Sequence, residues 1–296
     1  MATSTGRIVV GVDGSAEALH ALAWARDEAV LREAALEVVH AWAPPAPVSE
    51  IAAMASHVEE ATYERLAHEV LEHACSSILT DAPTISIESE AVRGYPSSVL
   101  LERAAEADLL VVGSRGRGGF ASLLLGSVSH QCVHHATSPV AVIPASAPLP
   151  SADDVVVGID GSVGARDALR WAADEAATRA ARLSVVHAWS VPYAVPLGGF
   201  GVAPTDPTEV AQWSRQLLHE VSDAVLDAAT RKPSDLELLS VEEPTAQALL
   251  HRAKDAGLLV VGTRGSGGFA ALLLGSVSQQ CLHHSTCAVV VVPHRG

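Results

Sequence analysis

Residues 109–129 read Leu109-Leu-Val-Val-Gly113-Ser-Arg115-Gly116-Arg117-Gly118-Gly119-Phe-Ala-Ser-Leu-Leu-Leu-Gly126-Ser127-Val128-Ser129. Residues 258–278 repeat them as Leu258-Leu-Val-Val-Gly262-Thr-Arg264-Gly265-Ser266-Gly267-Gly268-Phe-Ala-Ala-Leu-Leu-Leu-Gly275-Ser276-Val277-Ser278. Each opens with a short, wholly apolar run, the pattern of a strand buried on both faces. Glycines then let the backbone turn tightly and approach a ligand. A serine-opened helix follows, and its first N–H groups and dipole favour an anion. Strand, glycine turn and helix start together predict a phosphate cradle, with Ser127 and Ser276 capping the helices or donating to a phosphate oxygen. A P-loop is excluded, because neither segment contains a lysine. The glycine spacing also differs from the dinucleotide-binding fingerprint.

Working outward, 18 of those 21 positions are identical, and 22 of 35 are identical between residues 8–42 and 155–189. The offset is 147 in the earlier block and 149 in the later one, so the middle of the second copy has gained two residues. A period this long signals duplicated domains rather than a solenoid. The Pro/Ala/Ser-rich stretch from Pro144 to Asp153 reads as the linker, between domains at 1–146 and 152–296. In the first copy, strand Ile8–Val12 runs into Asp13-Gly14-Ser15. A helix follows with Ala18, Ala21, Leu22, Ala25 and Ala29 on one stripe. Strand Leu36–Trp42, a helix within 50–79, strand Ile85–Val92, a helix near 97–106 and strand Val140–Ile143 complete the copy. The second repeats the order with strands Val155–Ile159, Leu183–Trp189, Leu236–Val241, Leu258–Gly262 and Ala288–Val292. Fully apolar strands alternating with helices predict an α/β fold, two tandem doubly wound parallel sheets with helices on both faces. Ligands of such sheets bind beyond the carboxyl ends of strands, where the winding reverses. That points to the segments after the first and fourth strands.

Composition narrows the function. A net charge of −15 argues against a nucleic-acid or anionic-membrane surface. No apolar run is long enough to span a bilayer, and the N-terminus carries no stretch of signal-peptide type, so the chain reads as cytoplasmic. Lys232 and Lys254 are the only lysines; an anion would be held by backbone N–H groups, arginines and a metal. The four cysteines show neither C-x-x-C nor zinc spacing and read as reduced, mostly buried thiols. His134-His135 and His283-His284 are adjacent on helices and point apart, so they read poorly as metal sites. His40 and His187 read as packing or backbone-touching residues, and Trp24 and Trp171 as core or domain-contact residues. Leu123–Leu125 and Leu272–Leu274 read as loop anchors. Asp13 and Asp160 fit an Asx-turn before the helix as well as a ligand-facing role. Arg115 and Arg264 either steady phosphates or stay solvated.

The spacing Gly113-x2-Gly116-x9-Gly126-Ser127, repeated at Gly262, Gly265, Gly275 and Ser276, resembles the ATP-binding signature of universal stress proteins. The resemblance extends to Val9-Val-Gly-Val-Asp13-Gly-Ser15 and Val156-Val-Gly-Ile-Asp160-Gly-Ser162, and so to both copies of a tandem type. It implies five strands per sheet in the order 3-2-1-4-5, with ATP across the carboxyl ends of strands one and four. Asp13 and Asp160 would sit near the ribose or a phosphate-bound Mg²⁺, and the backbone of strand two around Val39 and Val186 would border the adenine. The implied ATP-binding set in copy one is Asp13, Val39, Gly113, Arg115, Gly116, Gly126, Ser127, Val128 and Ser129. In copy two it is Asp160, Val186, Gly262, Arg264, Gly265, Gly275, Ser276, Val277 and Ser278. A homodimer, a protein partner and a role as nucleotide-dependent switch in stress response or growth regulation are implied as well. Weak ATP hydrolysis or phosphotransfer, and a scaffold in which ATP is structural, are the alternative functions. Copy two departs from the pattern at Val241-Glu242-Glu243-Pro244 and at Ser266 in place of Arg117. Acid near a triphosphate is unfavourable, so the second site is expected to bind ATP more weakly.

Overall fold

The computed structural model describes residues 6–44, 59–78, 85–117, 125–150, 154–190, 206–229, 231–265 and 274–294. Ser266, Gly118, Gly119, Gly267, Gly268, Leu123, Leu124, Leu272 and Leu273 lie outside them, as does the part of the expected second helix before residue 59. The chain divides into two compact units, Met1–Pro150 and Ser151–Gly296.

In the first unit, β1 (Arg7–Gly11), α1 (Ala16–Arg32), β2 (Ala35–Trp42) and α2 (Glu60–Ile78) come first. They are followed by β3 (Ile87–Arg93), α3 (Pro96–Ala104), β4 (Leu109–Gly113), α4 (Ser127–His135) and β5 (Val140–Ile143). All strands are parallel, in the order β3-β2-β1-β4-β5. The winding reverses between β1 and β4, and their carboxyl ends open there side by side. Ile8, Val9 and Val10 are all fully buried in succession, which requires cover on both faces of the sheet. α1 packs with α2, and α3 with α4. The edge strand β3 is largely exposed and carries Glu88 and Glu90, charges that discourage further strand pairing. Strand three begins two residues later than its apolar pattern suggests, and the helix after it ends at Ala104.

The second unit repeats this with β6 (Val155–Gly158), α5 (Val163–Arg179), β7 (Arg182–Trp189), α6 (Pro207–Leu226) and β8 (Asp235–Glu242). Then come α7 (Thr245–Ala253), β9 (Leu258–Gly262), α8 (Ser276–His284) and β10 (Ala288–Val292). Its parallel order is β8-β7-β6-β9-β10. Leu125 and Leu274, the ends of the two leucine runs, are buried, as loop anchors should be.

The repeat extends to a charged pair inside the first helix of each unit. Arg32 reaches the fully buried carboxylate of Glu28 at 2.5 Å, and Arg179 pairs with Glu175, both side chains being sealed from solvent. Removing one member of such a pair strands the other charge. Glu175→Ala is expected to cost about 3–5 kcal/mol, read from the denaturant midpoint, against less than about 1 kcal/mol for removing the exposed Arg65–Glu69 pair.

Candidate functional site

The end of β1 is shaped by a turn that only glycine adopts easily: Gly14 has φ +76° and Gly161, after β6, has φ +80°. This turn brings the Ser15 N–H and hydroxyl onto Asp13 Oδ1 at 2.9 and 2.6 Å. The Ser15 hydroxyl oxygen in turn accepts from Ala18 N–H at 3.2 Å and caps α1. Asp160, Ser162 and Ala165 repeat the arrangement at 3.0 and 3.2 Å. The other oxygen of Asp13 crosses to the glycine loop, where Arg117 N–H donates to Oδ2 at 2.8 Å. Gly116 lies against that oxygen, and a Cβ there would overlap it; Gly265 lies against Asp160 in the same way. Burial alone would raise the Asp13 pKa, but the bonds from Ser15 and Arg117 outweigh it and hold the carboxyl below the usual range. Asp13 therefore carries its charge at neutral pH while tying β1 to the loop after β4.

The loop closes onto α4 through Gly126 N–H to Ser114 O at 2.7 Å, and onto α8 through Gly275 N–H to Thr263 O at 2.7 Å. Gly126 and Gly275 thereby take the extended cap position, and neither helix receives a side-chain cap. This corrects the expected capping role of Ser127 and Ser276, which are exposed first residues of their helices. Ser129 and Ser278 are buried and donate back to Gly113 O and Gly262 O at 2.6 and 2.7 Å, locking the helix to the strand. The serine caps thus sit on α1 and α5, and among the described residues no side chain caps the N–H groups opening α4 and α8.

A cavity of about 500 Å³ opens over this end of the first sheet. It brings together every residue expected for that site: Asp13, Val39, Gly113, Arg115, Gly116, Gly126, Ser127, Val128 and Ser129. Arg115 is exposed and 3.9 Å from Glu17. In the second unit a cavity of about 410 Å³ is lined by Asp160, Gly262, Arg264, Gly265, Gly275, Ser276, Val277 and Ser278. Val186 is the exception. It is buried, its carbonyl accepts Ile159 N–H, and the described residues lining the cavity on that strand are His187 and Ala188. The expected acid is also displaced, since Glu243 does not line the cavity and is bonded to His251 at 3.1 Å.

Several lining residues were not expected from the motifs. The first cavity adds Ala41, Pro96, Leu100 and Arg117, and the second adds His187, Trp213, Thr245 and Leu249. Spacing relative to the strand ends is a signal for Ala41, Pro96 and Thr245; Trp213 lies on α6, where no motif points. The His pairs diverge, with ring centroids 6.3 Å apart in each. Among the described residues no three His, Cys, Asp or Glu groups cluster as a metal site. Cys132 and Cys281, facing equivalent cores, are fully buried, and burial pushes both thiols up to about 12. No described helix is long and apolar enough to cross a membrane.

Comparison with known proteins bears on the whole chain. The model of the universal stress protein family matches residues 5–144 and again 152–293. A universal stress protein of Mycobacterium tuberculosis is 36% identical over 294 residues, covering 96% of each chain. One from Mycolicibacterium smegmatis is 34% identical over 295 residues, covering 97% of each. The crystal structure of a universal stress protein from Archaeoglobus fulgidus shares the fold, with a TM-score of 0.70 at 19% identity, over 99% of this chain and 100% of that one.

The Asp13 bridge has a measurable pH signature. Asp13→Asn places an amide among hydrogen-bond donors and is expected to cost about 1–3 kcal/mol at neutral pH. Because the folded pKa is lowered, the carboxylate's contribution is present above the unfolded value, about 4. It is lost as pH falls through the folded one. Denaturation of wild type and variant should therefore converge in acid and separate above that window.

Proposed function

The chain belongs to the universal stress protein family, and on that footing we propose that each unit binds ATP, the protein acting as a nucleotide-dependent switch in stress response or growth regulation. The observation that carries the reading is the pairing of an uncapped helix start with the glycine loop in one cavity. Phosphate oxygens would take the N–H groups of Ser127, Val128 and Ser129, or of Ser276, Val277 and Ser278, at the positive end of a helix. Arg115 and Arg264 supply side-chain charge nearby. The base would lie at the apolar end, against Val39, Ala41, Pro96 and Leu100 in the first unit.

Mg²⁺ fits this site as a companion of the phosphates rather than as an ion held by the protein. Oδ1 of Asp13 already accepts two hydrogen bonds and Oδ2 one, so a direct metal bond would compete with loop closure. Mg²⁺ keeps several waters in such sites, and Asp13 and Asp160 would accept from them. Bound Mg²⁺ would offset phosphate charge.

Binding without efficient hydrolysis is the reading favoured here. Phosphoryl transfer needs a residue that orients the attacking group as well as charge stabilisation, and among the described residues the one carboxylate lining each cavity, Asp13 or Asp160, is already bonded into its own turn. A switch instead needs ligand affinity that differs between two states. Loop order around Gly116 and Gly265, read by a protein partner or by a second copy of the chain in the cytoplasm, would supply it.

Nucleotide released on denaturing the purified protein, identified by mass spectrometry, should be ATP. Calorimetry with ATP and Mg²⁺ should then find two sites in the stripped wild type. Gly116→Ala should abolish one and Gly265→Ala the other, each by at least about tenfold, the scale of one lost charge-assisted contact. A stripped protein giving no heat with ATP would exclude the reading.

A further inference from the structure

The two cavities differ most at the end away from the helix N-terminus. Pairing registers place His187 beside Ser240 on β8 and His40 beside Ala91 on β3. Buried Ser214, Leu218 and Val221 on α6 match Ala67, Leu71 and Ala74 on α2, 147 residues earlier. The second unit therefore has serines where the first has alanines. The hydroxyls form a chain, with Ser214 Oγ 2.7 Å from His187 Nδ1 and 2.6 Å from Ser240 Oγ, and Trp189 Nε1 donating to Ser240 at 3.0 Å. His40 instead turns its Nδ1 to Val12 O at 2.7 Å and does not line its cavity.

Next to Ser214 stands Trp213, where the first unit has Leu66. Its ring meets His187 edge-on, with centroids 5.6 Å apart at 74°. Two successive residues of α6 thus hold the same imidazole, one by hydrogen bond and one by ring contact. Trp213 lines the second cavity yet remains 56% exposed, a large planar surface with no matching feature in the first.

We propose that Trp213, braced by His187, stacks on the purine base of a nucleotide in the second cavity, which thereby recognises its ligand by π-stacking where the first uses aliphatic contacts. This rests on the reading that nucleotides bind there. The direction follows from the cavity itself. Phosphate belongs at Ser276–Ser278, directly after β9, whereas the lining residues His187 and Ala188 lie on β7, two strands away in the sheet order, and Trp213 lies on α6, which packs on β7 and β8. An aromatic face there rewards a larger ring over a smaller one and makes few demands on its edge groups.

The test is calorimetry on the full chain carrying Gly116→Ala, which leaves the second cavity as the ATP site. ATP and inorganic tripolyphosphate, which has no base, are the probes. Adding Trp213→Leu should weaken ATP binding about tenfold, within the range of base–aromatic stacking, and leave tripolyphosphate binding unchanged. Trp213→Phe should recover most of the loss. Trp213 is exposed, so both variants should keep the parent's denaturation midpoint. Unchanged ATP affinity in Trp213→Leu would overturn stacking and leave nucleotide binding intact. Equal losses for both probes would overturn it too, by making Trp213 a shaper of the cavity. If the Gly116→Ala parent binds no ATP, the functional reading of this cavity fails, and the stacking proposal with it.

Discussion

Asp13 accepts hydrogen bonds from its own turn and from a residue 104 positions later. That carboxylate makes a single cleft out of two strand ends. It sets the turn that Ser15 continues into the α1 cap, and it holds the glycine loop against the sheet. The loop can come this close only because position 116 has no Cβ. Gly126 N–H bonds Ser114 O, and α4 begins beyond it with no side-chain cap among the described residues. Asp160 and Gly265 impose the same requirement on the second unit. The cavity is therefore a product of backbone geometry, and side chains of the loop decorate it without defining it.

Duplication has preserved that geometry and loosened the rest. The buried Glu–Arg pair of the first helix, the serine caps and the serine locks of Ser129 and Ser278 recur with nearly the same distances. All of them act on the body of the fold or the phosphate end of the cleft. The far end is where the units diverge, in the orientation of one histidine and the ring beside it. A binding end built from backbone tolerates little change, because each atom serves the fold as well. A wall built from side chains of one helix can be rewritten singly.

Much of this was legible in the sequence. Apolar runs gave the strands, and the repeated glycine spacing located the loop, because both express constraints on the backbone. Of the two roles read for Ser127 and Ser276, the cap fails, since the preceding glycine is already pinned by a loop carbonyl and takes the cap position itself. Strand two meets the second cavity one residue past Val186, at His187 and Ala188, and there the units part, because His187 bonds the buried Ser214 where the first unit has an alanine. Glu243 is drawn aside by His251, a pairing eight residues apart that no motif records. Trp213 stood on a helix whose pattern reports only which face is buried. Aligning the middles of the two copies, Leu66-Ala67 against Trp213-Ser214, was the signal that would have found it.

Cys132 and Cys281 occupy equivalent places under the helices that open onto the two cavities, with thiols pushed up to about 12. Thiol oxidation proceeds through the thiolate, and at neutral pH only on the order of one in 10⁵ of these groups is ionised. Neither sulfur is in contact with solvent. Peroxide or disulfide reagents thus find no reactive handle at the base of either helix. Cys132 and Cys281 thus leave the frame of each cleft inert to thiol chemistry under oxidising conditions, so the cleft keeps its shape while the medium around it changes.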